Sequence, residues 1–256
     1  MTKLYDNIIY GPVKSRRLGI SLGINLLPLT SKICTFNCIY CECGRNEDYS
    51  AKGSFADQDI LKTQLRETLL RMKREGESLD TMTFAGNGEP TLHPSFLSII
   101  KSTVELRDEF FPNCKISVLS NATTLAKDSV REALRYVDNV ILKIDSAFES
   151  TIRNIDCPQA NYSLDEVVKN MISFDKRFYV QTMFLRGTCD GIEIDNTTPK
   201  EIAAWQELIL KIHPYGVMVY SIDRDTPCKT LSKVSKEEMA SFVDRLVKEG
   251  LNCSIA

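Results

Sequence analysis

The chain has 256 residues, of which 43% are hydrophobic and 26% charged, and its net charge at pH 7 is −2. That is an ordinary globular composition, long enough for one large domain or two small ones with a substantial core. The charge excludes a strongly basic nucleic-acid binder while leaving room for a local basic patch, and no apolar run has the length of a membrane span or the form of a signal peptide.

Residues 8–28 read as extended structure: Gly11-Pro12 marks a turn, and Ile20, Leu22, Ile24 and Leu26 alternate as a strand does. Residues 1–30 thus form an N-terminal extended segment and first strand. Within them Ser15-Arg16-Arg17 is either an anion contact or a solvated basic turn. A loop over residues 31–56 follows. It holds Cys34, Cys38 and Cys41 at the spacing C-x3-C-x2-C, then Cys43, and a polar linker from Gly44 to Gly53. Asp57 is placed to cap a helix running to about Glu75, with Leu61, Leu65, Leu69 and Met72 on one face and Gly76 at its end.

A short strand, Asp80–Ala85, leads directly into Gly86-Asn87-Gly88-Glu89-Pro90. A helix over about Ser95–Phe110 and a strand Lys115–Leu119 end at Ser120-Asn121-Ala122. Next come a helix over Lys127–Tyr136, a strand Asn139–Asp145, a short helix near Glu149–Asn154 and a helix from Ser163 to about Phe174. The strand Arg177–Leu185 precedes a loop from Arg186 to Thr198. Pro199 opens a helix to His213, Val217–Ile222 is a strand, Ser235 caps a helix to Gly250, and Leu251–Ile255 is a closing strand. Strand and helix alternate six times, which means parallel strands joined by right-handed crossovers with the helices outside. Length and alternation allow a doubly wound sheet or a partial barrel. In both, chemistry belongs at the carboxyl ends of the strands.

The cysteine loop, Gly86–Pro90, Ser120-Asn121 and Asp145 each follow a successive strand, so they are expected to converge on one mouth. Three thiolates so close in sequence point to one soft-metal centre: an iron–sulfur cluster, zinc or Cu(I). A cubane cluster usually takes four cysteines, so three leave one iron open to a substrate. A zinc site ordinarily pairs two separated ligand units, and no second unit is evident. The nine cysteines are odd in number, and Cys114, Cys157, Cys189, Cys228 and Cys253 are scattered singly. That is no disulfide framework and fits a reducing, cytoplasmic setting. Cys43 reads as a spare thiol, and His93 and His213 as loop or helix-end residues. Lys143 and Asp145 share a face of their strand, as do Gln181 and Met183.

The run Cys34-Thr-Phe-Asn-Cys38-Ile-Tyr40-Cys41 resembles the cluster motif of the radical S-adenosylmethionine (SAM) superfamily, C-x3-C-x-aromatic-C. The upstream run from Gly11 to Pro28 is similar to a subgroup grouped with the wyosine-type RNA-modifying enzymes. Gly86-Asn87-Gly88-Glu89-Pro90 resembles the superfamily's Gly-Gly-Glu-Pro, with Asn87 in place of the first glycine of the quartet, and Ser120-Asn121-Ala122 is similar to its Thr-Asn-Gly. The resemblance implies a single domain over 1–256 with an α/β fold, a partial (β/α)6 barrel of parallel strands and outer helices. It implies a [4Fe–4S] cluster on Cys34, Cys38 and Cys41, and SAM held by Tyr40, Gly86, Asn87, Gly88, Glu89, Pro90, Ser120, Asn121 and Asp145. The activity implied is reductive cleavage of SAM to a 5′-deoxyadenosyl radical that takes hydrogen from a substrate. The partners implied are an electron donor such as flavodoxin or ferredoxin and a substrate that is a small molecule, an RNA base or a partner protein. Activation of a glycyl-radical enzyme and a non-catalytic iron–sulfur or redox-sensing role are the alternatives.

Overall fold

Ile20, Leu22 and Ile24 alternate because one face of their strand meets helices and the other meets a cavity. In the computed structural model, which describes residues 3–49 and 53–256, that strand pairs with an earlier one. β1 (Ile9–Ser15) and β2 (Gly19–Ile24) form an antiparallel hairpin, so the extended region 8–28 folds back on itself at Ser15–Gly19. Part of the expected polar linker, residues 50–52, lies outside the described residues.

The remaining strands are β3 (Thr81–Phe84), β4 (Lys115–Ser120), β5 (Asn139–Lys143), β6 (Tyr179–Met183), β7 (Leu185–Cys189), β8 (Ile192–Asp195), β9 (Gly216–Tyr220), β10 (Leu231–Lys233) and β11 (Asn252–Ile255). The main sheet has the order β1-β2-β3-β4-β5-β6-β9-β11, and every pair from β2 onward is parallel. The helices are α1 (Gln58–Glu75), α2 (Phe96–Phe110), α3 (Asp128–Arg135), α4 (Glu149–Ile155), α5 (Leu164–Ile172), α6 (Pro199–Ile212) and α7 (Lys236–Lys248). The sheet curls into a half-barrel wrapped by helices, the partial barrel that the resemblance implies and one of the two folds that the alternation allows.

α1 shows why these segments are helical. The Asp57 carboxylate accepts from the Asp59 and Ile60 amides, and Gly76 ends the helix at φ 69° with its amide turned back to Lys73 and Met72. Leu61, Leu65, Leu69 and Met72 are fully buried, each worth roughly 1.5–3 kcal/mol relative to exposure. They join Leu22, Ile24, Met82, Phe84, Val118 and Val140 in one core between sheet and helices. The opposite sheet face is more polar. Ser21 bonds Thr83 at 2.8 Å and Thr81 bonds Ser117 at 2.8 Å, which gives the half-barrel interior polar pairs in place of a second apolar core.

The stretch Arg186–Thr198, expected as a loop, is mostly strand. β7 and β8 form a hairpin closed by Asp190-Gly191, both at positive φ, as a tight two-residue hairpin turn demands. β10 adds to β7, completing a three-stranded antiparallel sheet. Among the described residues no helix is long and apolar enough to cross a membrane.

Candidate active site

The cysteine loop is sewn to the loop after β3. The Ile33 amide donates to the Asn87 carbonyl at 3.0 Å, and the Glu89 amide donates to the Ile33 carbonyl at 3.0 Å. Gly88 lies between these bonds at φ +140°, and a Cβ there would sit 1.8 Å from the Ile33 carbonyl oxygen. Only glycine fits that contact and that backbone. The Gly88→Ala protein is therefore expected to lose about 3 kcal/mol or more, which for a chain of this size is roughly 10 °C in melting temperature. An unshifted melting curve would contradict the stitched geometry.

The three motif thiols are half-buried. Burial, with help from Glu89, pushes Cys34 up to about 11, and burial raises Cys38 well above an ordinary thiol. Cys41 is pulled down to about 5, first by its hydrogen bond with Cys43 and then, against burial, by the Lys32 ammonium. Cys34 and Cys38 each feel Cys41 as a like charge, and Lys32 is raised by all three sulfurs, so the thiols share one neighbourhood. As thiolates they repel, and a multivalent soft cation relieves all three at once. The donor set therefore fits an iron–sulfur cluster. Among the described residues the one Cys/His/Asp/Glu trio whose ligand atoms all lie within 4.8 Å is Cys189, Asp190 and Cys228. The motif cysteines are spread more widely than the about 3.8 Å between sulfurs on one tetrahedral zinc.

The other expected residues surround this centre. Asn121 donates through Nδ2 to Thr35 Oγ1 at 2.8 Å and to Cys34 Sγ at 3.6 Å. The Ser120 hydroxyl accepts the Ala122 amide at 3.1 Å. The Tyr40 hydroxyl donates to Asp145, whose other oxygen accepts the Met183 amide at 2.9 Å. Glu89 is buried and accepts from the Thr91 amide and hydroxyl and from the Asn121 amide; Pro90 starts the short helical turn that follows. The Asn87 side chain is used within the protein. It holds Tyr5 through both its amide and its carbonyl groups and donates to the Pro28 carbonyl. Cys43 donates to the Gly86 carbonyl at 3.4 Å, a second tie between the two loops.

Sequence reasoning missed Lys32 and Asp156, and it marked Lys143 only by the strand face it shares with Asp145 and Arg17 only as an anion contact or a solvated turn. Lys32 donates to the Gly44 carbonyl at 2.7 Å beside Cys41. Lys143 reaches Cys38 Sγ at 3.0 Å, Asp145 at 3.3 Å and Asp156. Asp156 follows α4 with no motif to mark it. A cavity of ≈ 340 Å³ opens beside Cys38 and Cys41 and is lined by Tyr40, Met183, Tyr220 and the β1–β2 turn. Arg17 of that turn lines it as well: it donates to Gln181 at 2.8 Å and its guanidinium lies 4.4 Å from the Tyr220 ring centre. His93 binds the Ala56 carbonyl and the Ser95 amide, and His213 ends α6 in a left-handed conformation. Both are the structural residues expected.

A family model described as the radical SAM superfamily matches residues 29–190. The chain belongs to the radical SAM superfamily. The half-barrel is a radical SAM enzyme domain, with its motif cysteines at the carboxyl end of the first parallel strand. A protein named GTPase Obg from Brachyspira hyodysenteriae is 31% identical over 93% of this chain and 33% of its own length. A UPF0026 protein of Methanocaldococcus jannaschii is 35% identical over 65% of this chain and 49% of its own. The chain thus spans between a third and a half of these two relatives. Among solved structures, a radical SAM methyltransferase from Sphaerobacter thermophilus superposes with a TM-score of 0.65 at 12% identity, covering 92% of this chain and 65% of that one. TYW1 with a lysine–pyruvate adduct bound gives 0.61 at 14%, covering 90% and 74%. Both superpositions are likenesses of fold.

Proposed function

We propose that this domain cleaves SAM on a [4Fe–4S] cluster held by Cys34, Cys38 and Cys41 and uses the product to abstract hydrogen from a small molecule or an RNA base. The observation that carries the reading is the grouping of three half-buried thiols at the mouth of a half-barrel beside a ≈ 340 Å³ cavity, a volume suited to a small organic ligand. When bound, the cluster supplies the electron that breaks the carbon–sulfur bond, giving methionine and a 5′-deoxyadenosyl radical.

The chain's own groups orient and exclude. The Gly86–Pro90 backbone and the Asn121 side chain flank the cluster loop and receive the polar end of SAM, with Ser120 behind them. Tyr40, held by its hydrogen bond to Asp145, lines the cavity beside Cys38 and Cys41. Arg17, held by the neutral side chains of Gln181 and Tyr220, suits an acidic group on the substrate. The electron comes from a donor such as flavodoxin or ferredoxin, and the chemistry suits the reducing cytoplasm.

The test is anaerobic reconstitution with iron and sulfide, then SAM and dithionite. Steady formation of 5′-deoxyadenosine is expected; bound SAM that is never cleaved by the loaded protein overturns the reading. Cys43→Ser is expected to keep about four irons per chain, because Cys43 serves as a tie to Gly86. Loss of iron in that protein would make Cys43 a ligand.

A further inference from the structure

Their scattered positions make Cys189 and Cys228 look like isolated thiols. Instead they face one another as a disulfide with their Cα atoms 5.6 Å apart, 39 residues apart in sequence, a separation in the ordinary range for such a bond. Cys189 ends β7 at the hairpin turn, and Cys228 lies in the loop before β10. Two further features mark the pair. Arg45 Nη2 lies 3.5 Å from Cys189 Sγ and 3.4 Å from Cys228 Sγ, and also binds Asp190. A surface groove of ≈ 610 Å³ lined by Arg45, Glu47, Asp190 and both cysteines leads to them.

We infer that Cys189 and Cys228 form a reversible dithiol–disulfide site that exchanges with low-molecular-weight disulfides and fastens the small sheet to the wall of the cluster site. A cation against both sulfurs favours the thiolate, which is the attacking form in exchange. The same cation disfavours a metal on Cys189, Asp190 and Cys228, because Arg45 already occupies their common neighbourhood. The other seven cysteines are free, so this bond is not part of a structural framework. In a reducing compartment an isolated disulfide is ordinarily transient, catalytic or sensing.

The chemistry balances without a further reactant. One thiolate of the pair attacks a sulfur of the external disulfide, breaking its S–S bond and releasing one small thiolate. The second protein thiol attacks the mixed disulfide, forms the internal bond and releases the other. Both protons pass to the two small thiols, so the protein loses two electrons and the external disulfide gains two. Reduction runs the same steps backward.

The link to the cluster site is direct. The Cys228 amide donates to the Ile39 carbonyl at 3.3 Å, and Ile39 lies between Cys38 and Cys41. Cys189 and Cys228 also pack in one apolar group with Ile39, Tyr40, Met183 and Leu185. The bond therefore joins β7 to a loop that itself holds the cluster loop. Its reduction leaves residues 221–230 tied to the hairpin by noncovalent contacts alone, such as the Thr230 hydroxyl on the Thr188 carbonyl, without touching a motif cysteine.

The experiment equilibrates cluster-loaded protein anaerobically with glutathione and its disulfide at graded ratios. The protein is quenched in acid, and each cysteine is read by differential alkylation and peptide mass. Cys189 and Cys228 are expected to convert together as one two-electron step while the motif cysteines do not follow. Hydrogen exchange at the amides of residues 185–195 and 226–231 is expected to rise severalfold on reduction, the Cys228 amide included. Arg45→Gln is expected to slow exchange with oxidised glutathione about threefold, the tenfold loss of thiolate population for one pKa unit being partly offset by the greater nucleophilicity of the more basic thiolate, while leaving the two-electron stoichiometry. Independent conversion of the two cysteines, stable glutathione adducts on one of them, or stoichiometric zinc at the pair overturns the proposal, and unchanged hydrogen exchange overturns the fastening.

Discussion

Replacing any one of Cys34, Cys38 and Cys41 by alanine is expected to bring iron down from about four per chain to background. 5′-Deoxyadenosine falls with it to the rate without protein. A site with three protein thiolates has no spare ligand, so losing one opens a second iron and leaves two sulfurs to hold the whole cluster. The control is stability. The hydrogen bonds that the Cys34 sulfur accepts in the folded chain are long, from the Phe36 amide at 3.4 Å and from Asn121 Nδ2 at 3.6 Å. Bonds of that kind are worth about 1 kcal/mol or less, so the apo Cys34→Ala protein is expected to melt within a few degrees of the parent. Cys38 differs, because its sulfur also accepts from Lys143. Cys34 is thus the better variant for separating ligation from folding. A Cys34→Ala protein that still takes up a full complement of iron would remove this thiol from the ligand set.

Much of this arrangement is readable in the chain, for a local reason. The cysteine spacing, the caps at Asp57 and Ser235 and the alternation in β2 are short-range patterns, and each gives a feature that needs few distant partners. The alternation of strand and helix then restricts the fold, because parallel pairing demands crossovers. What escaped depends on distant pairing. The β7–β8 hairpin was hidden by its length of four to five residues per strand, although Asp190-Gly191 between Cys189 and Ile192 is a turn signal that marks it. Cys189 and Cys228 are brought together by the pairing of β10 with β7, a contact between distant segments. Asn87 illustrates the converse. Its place in the motif is plain, but the use of its side chain to hold Tyr5 and Pro28 depends on where the N-terminal segment returns.

Lys143 tests the electrostatics under the cluster loop. Its ammonium is 8% exposed and its carboxylate partners, Asp145 and Asp156, are 0% and 2% exposed. The rings of Phe36 and Tyr40 lie 5.1 and 4.8 Å from it. Burial alone opposes the charge, but Asp145 and Asp156 carry Lys143 well above the ordinary lysine range. Lys143→Met keeps much of the stem and removes the charge. Two buried carboxylates then face each other uncompensated, a loss expected at about 3–5 kcal/mol and roughly 10 °C in the melting of the apo protein. The pH dependence has a definite sign. Burial pushes Asp156 up to about 7 against the pull of Lys143. A carboxyl raised in this way contributes stability below its unfolded pKa of about 3.9, and that contribution is lost as pH rises through about 7. Without Lys143 the carboxyl rises further and keeps its proton through the range above about 7 where the parent loses it, so the Lys143→Met deficit is expected to be about 1.4 kcal/mol larger at pH 8 than at pH 5. Adding Asp156→Asn removes the orphaned charge and is expected to recover more than half of the deficit at pH 8. A pH-independent deficit would assign the loss to packing against Phe36 and Tyr40, and full stability of Lys143→Met would mean that the three charges do not depend on one another.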